Sequence, residues 1–240
     1  MARKTNNRIW KEHLILCEGR DAENFLIHYL NSKELSVQPM FANDFQVVDF
    51  GGNEDLPKFL ESVRTYNGYD EVVSLLVIRD AERRAESAKQ SIQSAFQNAG
   101  LPVPECPCQW KEGQQENRRL KTGFLLFPTC DSNITEGTLE DFCLQILSEE
   151  KGNVILTAIE EFMLSLHEEY GREFPHEFKT KLHTYFSVTD DYVSMKIGEA
   201  AQSGAFNWNH PKLEPLKNFL LELADSPAEN KNNDSSQGEM

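Results

Sequence analysis

Val72-Val73-Ser74-Leu75-Leu76-Val77-Ile78-Arg79-Asp80-Ala81-Glu82 decides the fold. Apart from Ser74, its first seven residues are all Val, Leu or Ile. A run this continuous reads as a central parallel strand covered on both faces, because a half-exposed strand would alternate apolar with polar. Arg79-Asp80-Ala81-Glu82 ends it. A long helical pattern follows, with Ala85, Ala88, Ile92, Ala95, Phe96 and Ala99 in register, and Gly100 and Pro102 stop it. Upstream, His13 to Cys17 is a shorter apolar run closing at Glu18-Gly19, and Phe25, Leu26, Tyr29 and Leu30 then share a helical face. Phe45 to Phe50 reads as another strand, ended by Gly51-Gly52. Asn53 is placed to cap the next helix, whose buried face is Phe59, Leu60 and Val63. Downstream, residues 101–120 read as a polar excursion around a short strand. Gly123 to Phe127 is a further strand, and Thr138-Leu139-Glu140-Asp141 opens a helix as a capping box with Asp in place of Glu. Strands alternating with helices predict an α/β fold with a parallel, Rossmann-like sheet over residues 1–150.

Beyond residue 150 the strand patterns stop. Four helical faces follow: Ile155, Ile159, Phe162, Met163 and Leu166; Phe178, Leu182, Tyr185 and Phe186; Tyr192 to Ala201; and Leu213, Leu216, Phe219, Leu220 and Leu223. We read 151–224 as a helical region packing on the core. Residues 225–240 have no apolar face and read as a disordered acidic tail. The chain has 240 residues with Lys+Arg 24 and Asp+Glu 39, a formal charge of −15. The tail holds four acids and one lysine, −3 of the total, so the rest carries −12. That balance argues against a passive nucleic-acid binder, which needs a broad cationic face to release counterions. It leaves room for an enzyme that meets phosphates through metal ions held by acids. No apolar run reaches the roughly 18 residues of a membrane span, and no signal-like apolar segment follows the basic start, so the expected location is the cytoplasm. Five cysteines, an odd number, with Cys106-Pro107-Cys108 the only close pair, predict neither a disulfide framework nor a zinc site. There is no P-loop, no Gly-x-Ser-x-Gly and no His-Glu-x-x-His.

Ligands of open parallel sheets bind beyond the carboxyl ends of the strands. Acids recur there: Glu18 after the first strand, Asp80 and Glu82 after the third, then Glu140 and Asp141. Asp80 and Glu82 are two residues apart, so on an extended backbone both carboxylates point one way. With Glu18 from a neighbouring strand they would make an oxygen site suited to Mg²⁺ or Mn²⁺. The competing reading is that Asp80 and Glu82 merely cap a helix beginning near Ala81. Arg20, Arg79, Arg83 and Arg84 either touch phosphates or pair with these acids.

Cys17-Glu18-Gly19-Arg20-Asp21-Ala22-Glu23, together with Asp80-Ala81-Glu82 at the end of an apolar strand, resembles a Toprim domain, the metal-binding fold of topoisomerases, primases and OLD-type nucleases. A broader likeness is to an uncharacterised family of small bacterial Toprim-like proteins related to OLD (overcoming lysogenization defect)-type nucleases. It runs through Phe50-Gly51-Gly52-Asn53, Gly123 to Pro128, Gly137 to Asp141, Lys179 to Tyr185, Ile197 to Ala201 and Trp208 to Pro211. The resemblance implies that Glu18 is a metal ligand or general base and Asp80 a metal ligand. Glu82 is then a second ligand where the family pattern has Asp, and Glu140 or Asp141 completes the shell. An OLD-type lysine that stabilises the transition state has Lys179, Lys181 and Lys196 as candidates, with Lys181 taken here as catalytic. Ala22 stands where such nucleases often carry a second acid.

The resulting expectation is a Mg²⁺- or Mn²⁺-dependent nuclease on a Toprim-like fold, hydrolysing phosphodiesters of DNA or RNA in phage defence or repair. Its alternative is a non-catalytic Toprim-like binding or regulatory module acting with a protein partner or as a homo-oligomer. A haloacid-dehalogenase-type phosphatase ranks below both, since it needs Asp where Glu18 stands.

Overall fold

The computed structural model describes residues 8–33, 44–115, 118–129, 133–148 and 153–223. The predicted tail at 225–240 lies outside them. In chain order the strands are β1 His13–Glu18, β2 Phe45–Gly51, β3 Ser74–Asp80, β4 Lys111–Gln115 and β5 Arg118–Phe127. The helices are α1 Gly19–Leu30, α2 Leu56–Val63, α3 Ala85–Asn98, α4 Leu139–Ser148, α5 Asn153–Tyr170, α6 Glu177–Val188, α7 Ile197–Gln202 and α8 Glu214–Leu221.

The sheet order is β2-β1-β3-β5-β4, parallel except for the antiparallel edge strand β4. The α/β expectation therefore holds, with a five-stranded, mostly parallel sheet. Its central strand is the decisive stretch: Leu75, Leu76, Val77 and Ile78 are all essentially without solvent contact. Each contributes about 2 kcal/mol of burial, an upper bound against an extended chain.

Successive side chains point to opposite faces, and this splits the core in two. Ile15, Cys17, Leu76, Ile78, Leu125 and Phe127 face α1 and the helices after residue 138. Leu14, Leu16, Leu75, Val77, Phe124 and Leu126 face α2 and α3. The handedness of βαβ crossovers requires this. β1 to β2 steps one way along the sheet, so α1 lies on one face. β2 to β3 and β3 to β5 step the other way, so α2 and α3 lie on the opposite face. The C-terminal helices continue the first layer. Leu156, Ile159 and Met163 of α5, Leu182 and Phe186 of α6, Ala200 of α7 and Leu216 and Leu220 of α8 share one apolar cluster with the sheet. Trp208 packs on Phe25 at 5.2 Å, and the Tyr29 hydroxyl donates to the Leu213 carbonyl at 3.3 Å, so 208–213 forms a corner packed on α1.

Several expectations need correcting. The helix placed at Tyr192–Ala201 begins only at Ile197, after turns that put Ser194 at φ 65°. The buried row of α5 is Leu156, Ile159 and Met163, while Phe162 is 55% exposed. β5 starts at Arg118, five residues before the predicted strand, and residues 111–115 pair with it. Cys108 is disulfide-bonded, with its partner outside the described residues, whereas Cys17, Cys106 and Cys143 are free. Among the described residues, no helix is long and apolar enough to cross a membrane.

Candidate functional site

The chain leaves β1 toward one sheet edge and β3 toward the other, so a crevice opens beyond the carboxyl ends of these neighbouring strands. Cys17 of β1 pairs with Ile78 of β3, which brings the following residues, Glu18 and Asp80, to that crevice. Glu18 keeps an extended backbone (φ −82°, ψ 106°), and Gly19 takes φ 81° to turn into α1, a conformation glycine adopts without penalty. Asp49 fixes this turn. Its Oδ1 accepts from Gly19 N at 3.1 Å and from Gly51 N at 2.7 Å, tying the turns after β1 and β2 together.

Glu18 faces Arg79. The guanidinium Nε lies 3.5 Å from Glu18 Oε2, with the Arg79 side chain 3% and the Glu18 side chain 17% exposed. Arg79 also donates to Asn53 Oδ1 at 3.2 Å and to the Asp80 carbonyl at 3.4 Å. Glu18 Oε2 is buried without a hydrogen bond. Burial raises the Glu18 carboxyl above its ordinary value. Arg79 opposes this, Glu82 adds to it, and backbone N–H groups of Asn53 and Asp80 pull it back.

Asp80 is strongly perturbed. Burial, then Glu140, Glu18 and Glu82, push its carboxyl up to about 8, against the pull of the Leu139 N–H. That N–H donates to Asp80 Oδ1 at 2.8 Å, so Asp80 holds the first amide of α4. Neither Asp80 nor Glu82 caps a helix near Ala81, because α3 starts at Ala85. Glu82 is exposed and sits at φ 56°. Glu82 and Gly137 exchange backbone hydrogen bonds (2.9 and 2.8 Å), and Ala85 N donates to the Thr135 carbonyl at 2.7 Å. Residues 80–85 and 135–139 thus run side by side.

The predicted residues fall into two groups. Glu18, Asp80, Glu82 and Glu140 act on one another electrostatically. Asp141 belongs elsewhere. Its carboxyl is raised by burial, accepts from Gln145 at 3.3 Å, and responds to Glu136, Lys181 and Lys212. Lys181 is held at 2.7 Å by Glu177 and at 3.1 Å by Glu160. Burial lowers its ammonium pKa, but these two carboxylates outweigh that and hold it above the ordinary value. Of the alternatives Glu140 and Asp141, it is Glu140 whose charge acts on Asp80. The capping box at Thr138 is half made: Thr138 Oγ1 accepts from Asp141 N at 3.4 Å, while the Asp141 carboxylate turns to Gln145. The glycines at 51–52 present no open anion cradle, since Gly51 N and Gly52 N are taken by Asp49 and Asp55.

The pattern of DUF3226, a protein of unknown function, matches residues 12–225. The chain belongs to the DUF3226 family. This match spans both the sheet and the C-terminal helices, so the family unit includes the crevice and the layer packed against it. No curated protein and no solved structure matches the chain. The DUF3226 match carries no activity with it, and the chemistry of the crevice has to be argued from its side chains.

Those side chains test the fit of a divalent cation. The donors are hard carboxylate oxygens, as Mg²⁺ and Mn²⁺ prefer. Glu18 Oε2 lacks a hydrogen bond, and Asp80 is pressed toward neutrality by other acids, which a cation would relieve. Among the described residues no three acid, His or Cys side chains form a ready-made cage. Mg²⁺ does not demand one, since it commonly takes one or two carboxylates and fills its shell with water and substrate phosphate. Glu18 and Asp80 fit that description. Of the two roles the sequence offers for Arg79, the structure shows pairing with an acid, Glu18, and shows it buried rather than solvated. The available signal was an arginine inside an otherwise apolar strand end, which needs an acid to be buried there.

Proposed function

We propose that this DUF3226 protein is a metal-dependent nuclease acting on DNA or RNA, built on a Toprim-like version of its α/β fold, with phage defence or repair as its setting. One observation carries the reading: Glu18 and Asp80 meet at the crevice where the strand order reverses, with Asp80 pushed up to about 8. An isolated buried acid would gain by being replaced, whereas one among three other carboxylates is suited to holding a cation.

Mg²⁺ or Mn²⁺ held there would supply Lewis-acid stabilisation of phosphoryl charge. Glu18 and Asp80 would hold the ion, and Glu82 and Glu140 add negative potential. Arg79 positions Glu18 from beneath, and Asp49 fixes the turn that follows it. Leu139 N–H orients the Asp80 carboxylate. Lys181, tied to Glu160 and Glu177, stands with Asp141, so the proposal gives it no part beside Asp80.

The test is cleavage at low salt with Mg²⁺ or Mn²⁺ titrated, on single- and double-stranded DNA and RNA. Wild type should cleave only with metal, and Asp80→Asn should lose about a hundredfold or more, as removing several kcal/mol of charge stabilisation requires. Cleavage that persists in Asp80→Asn, or none under any metal, rejects the reading.

A second reading, a non-catalytic module acting with a partner, is favoured by a different feature. Val154, Phe162, Leu164 and Tyr170 of α5 are large, apolar and exposed. Metal binding without cleavage by the isolated chain would move the balance to it.

A further inference from the structure

Beside the acidic crevice lies a groove of about 460 Å³ at the start of α3. Its lining includes Arg83, Arg84, Lys89, Pro107, Leu126 and Ile134. Lys89 is paired with Glu86 at 3.8 Å. The Arg83 and Arg84 side chains are exposed and, among the described residues, make no ion pair or hydrogen bond. In a chain of −15 with 39 acids, the described residues leave these two adjacent arginines without a carboxylate partner. Any salt-bridge role they had would have been easy to satisfy.

We propose that this groove binds a phosphorylated nucleotide unit, with Arg83 and Arg84 on the phosphate and the apolar edge of Pro107 and Ile134 beside the base or sugar. The volume fits a ligand of that size. Arginine suits the phosphate because its planar fork can donate two hydrogen bonds at once. The groove is also joined to the acids. Asp80 with Leu139, Glu82 with Gly137 and Ala85 with Thr135 form a continuous strip, acidic at one end and opening into the groove at the other. A strand lying along the strip would put one phosphate on the arginines and another toward Glu18 and Asp80. The proposal deepens the nuclease reading by giving the substrate a second foothold, and only the choice of a polymeric strand rests on that reading.

The unit could come from a nucleic-acid strand or a free mononucleotide, and the test separates them. Binding of a fluorescent 5′-phosphorylated single-stranded decanucleotide is followed by anisotropy at low salt in EDTA, beside thermal shift with the four deoxynucleoside monophosphates. Wild type should bind the strand, and the Arg83→Ala/Arg84→Ala double variant should bind it at least tenfold more weakly with a shallower salt dependence. Asp80→Asn should bind the strand in EDTA no more weakly than wild type does, since it removes a carboxylate and keeps both arginines, so loss of the metal site and loss of the groove are distinguishable. Both arginines are exposed, so the double variant should melt with wild type, and a matched melting curve guards against misfolding. Arginine-dependent stabilisation by mononucleotides without strand binding would keep the groove and sink the nuclease reading. Equal affinity of wild type and the double variant for every probe, or no binding of any probe by wild type, overturns the proposal.

Discussion

Asp80 carries an acid's charge into a place that resists it, and this has a pH signature. Its carboxyl is raised from 3.8 to about 8 in the fold. A raised acid binds its proton more tightly folded than unfolded. Its contribution is therefore fully present below the unfolded value and is lost as pH rises toward 8. In EDTA, wild type should lose stability between about pH 4 and pH 8, and Asp80→Asn should lose less, because the amide does not titrate, while its oxygen can still accept from Leu139 N. At pH 8 the variant should melt about 2–4 °C higher for each kcal/mol gained. Parallel melting curves across that range would show that Asp80 is not strained by its neighbours. Glu82 poses a separate test, since its φ of 56° is a conformation L side chains rarely adopt. Glycine relieves that strain and a β-branched residue worsens it. Urea titration should find Glu82→Val less stable than Glu82→Gly by about 1–2 kcal/mol. Equal stabilities would mean the turn relaxes freely.

The elements differ in how much of them the sequence reveals. β3 and α3 are plain, because one is unbroken in apolar residues and the other places Ala85, Ala88, Ile92, Ala95 and Phe96 on one buried stripe. The strand ends followed, and with them Glu18 and Asp80. β5 is longer than the sequence predicts because Arg118, Arg119 and Lys121 look like a solvated loop. In the fold Arg118 lies 4.5 Å over the Tyr69 ring and donates to the Val72 carbonyl, so its charge is satisfied at the sheet's margin. The buried stripe of α5 differs from the predicted one because the helix carries two apolar rows, and only tertiary packing selects Leu156, Ile159 and Met163 over Phe162. The late start of α7 lacks a Ser or Thr signal: Glu199 Oε2 accepts from Lys196 N at 2.8 Å, with lysine in the cap position. Glu140 and Asp141 could not be told apart in the sequence, because the choice depends on which way α4 is rotated. α7 offers its own test. A Cβ on Gly198 would come within 2.5 Å of Asn24 Cβ on α1, so Gly198→Ala should cost about 1–3 kcal/mol through overpacking. No loss in chemical denaturation would mean the two helices separate more readily than their contact implies.

At the scale of the whole molecule, the excess of acids shapes the account. A chain at −15 is repelled by nucleic acid over most of its surface, so an encounter has to be local. The fold provides one place where that is reasonable. Two parallel strands, β1 and β3, and the first turn of α4 deliver carboxylates to a single crevice, and an arginine pair opens beside it. The layer of C-terminal helices closes over one face of the sheet and presents α4, whose first amide holds Asp80. The central claim is that this crevice is a cation site made by Glu18 and Asp80. The most direct measurement is calorimetric titration of Mn²⁺ into metal-free wild type, Glu18→Gln and Asp80→Asn at pH 7.5. The account predicts saturable binding to wild type and at least tenfold weaker binding to both variants, each still folded by circular dichroism. Identical isotherms for wild type and the two variants, or no saturable binding to wild type, would contradict it.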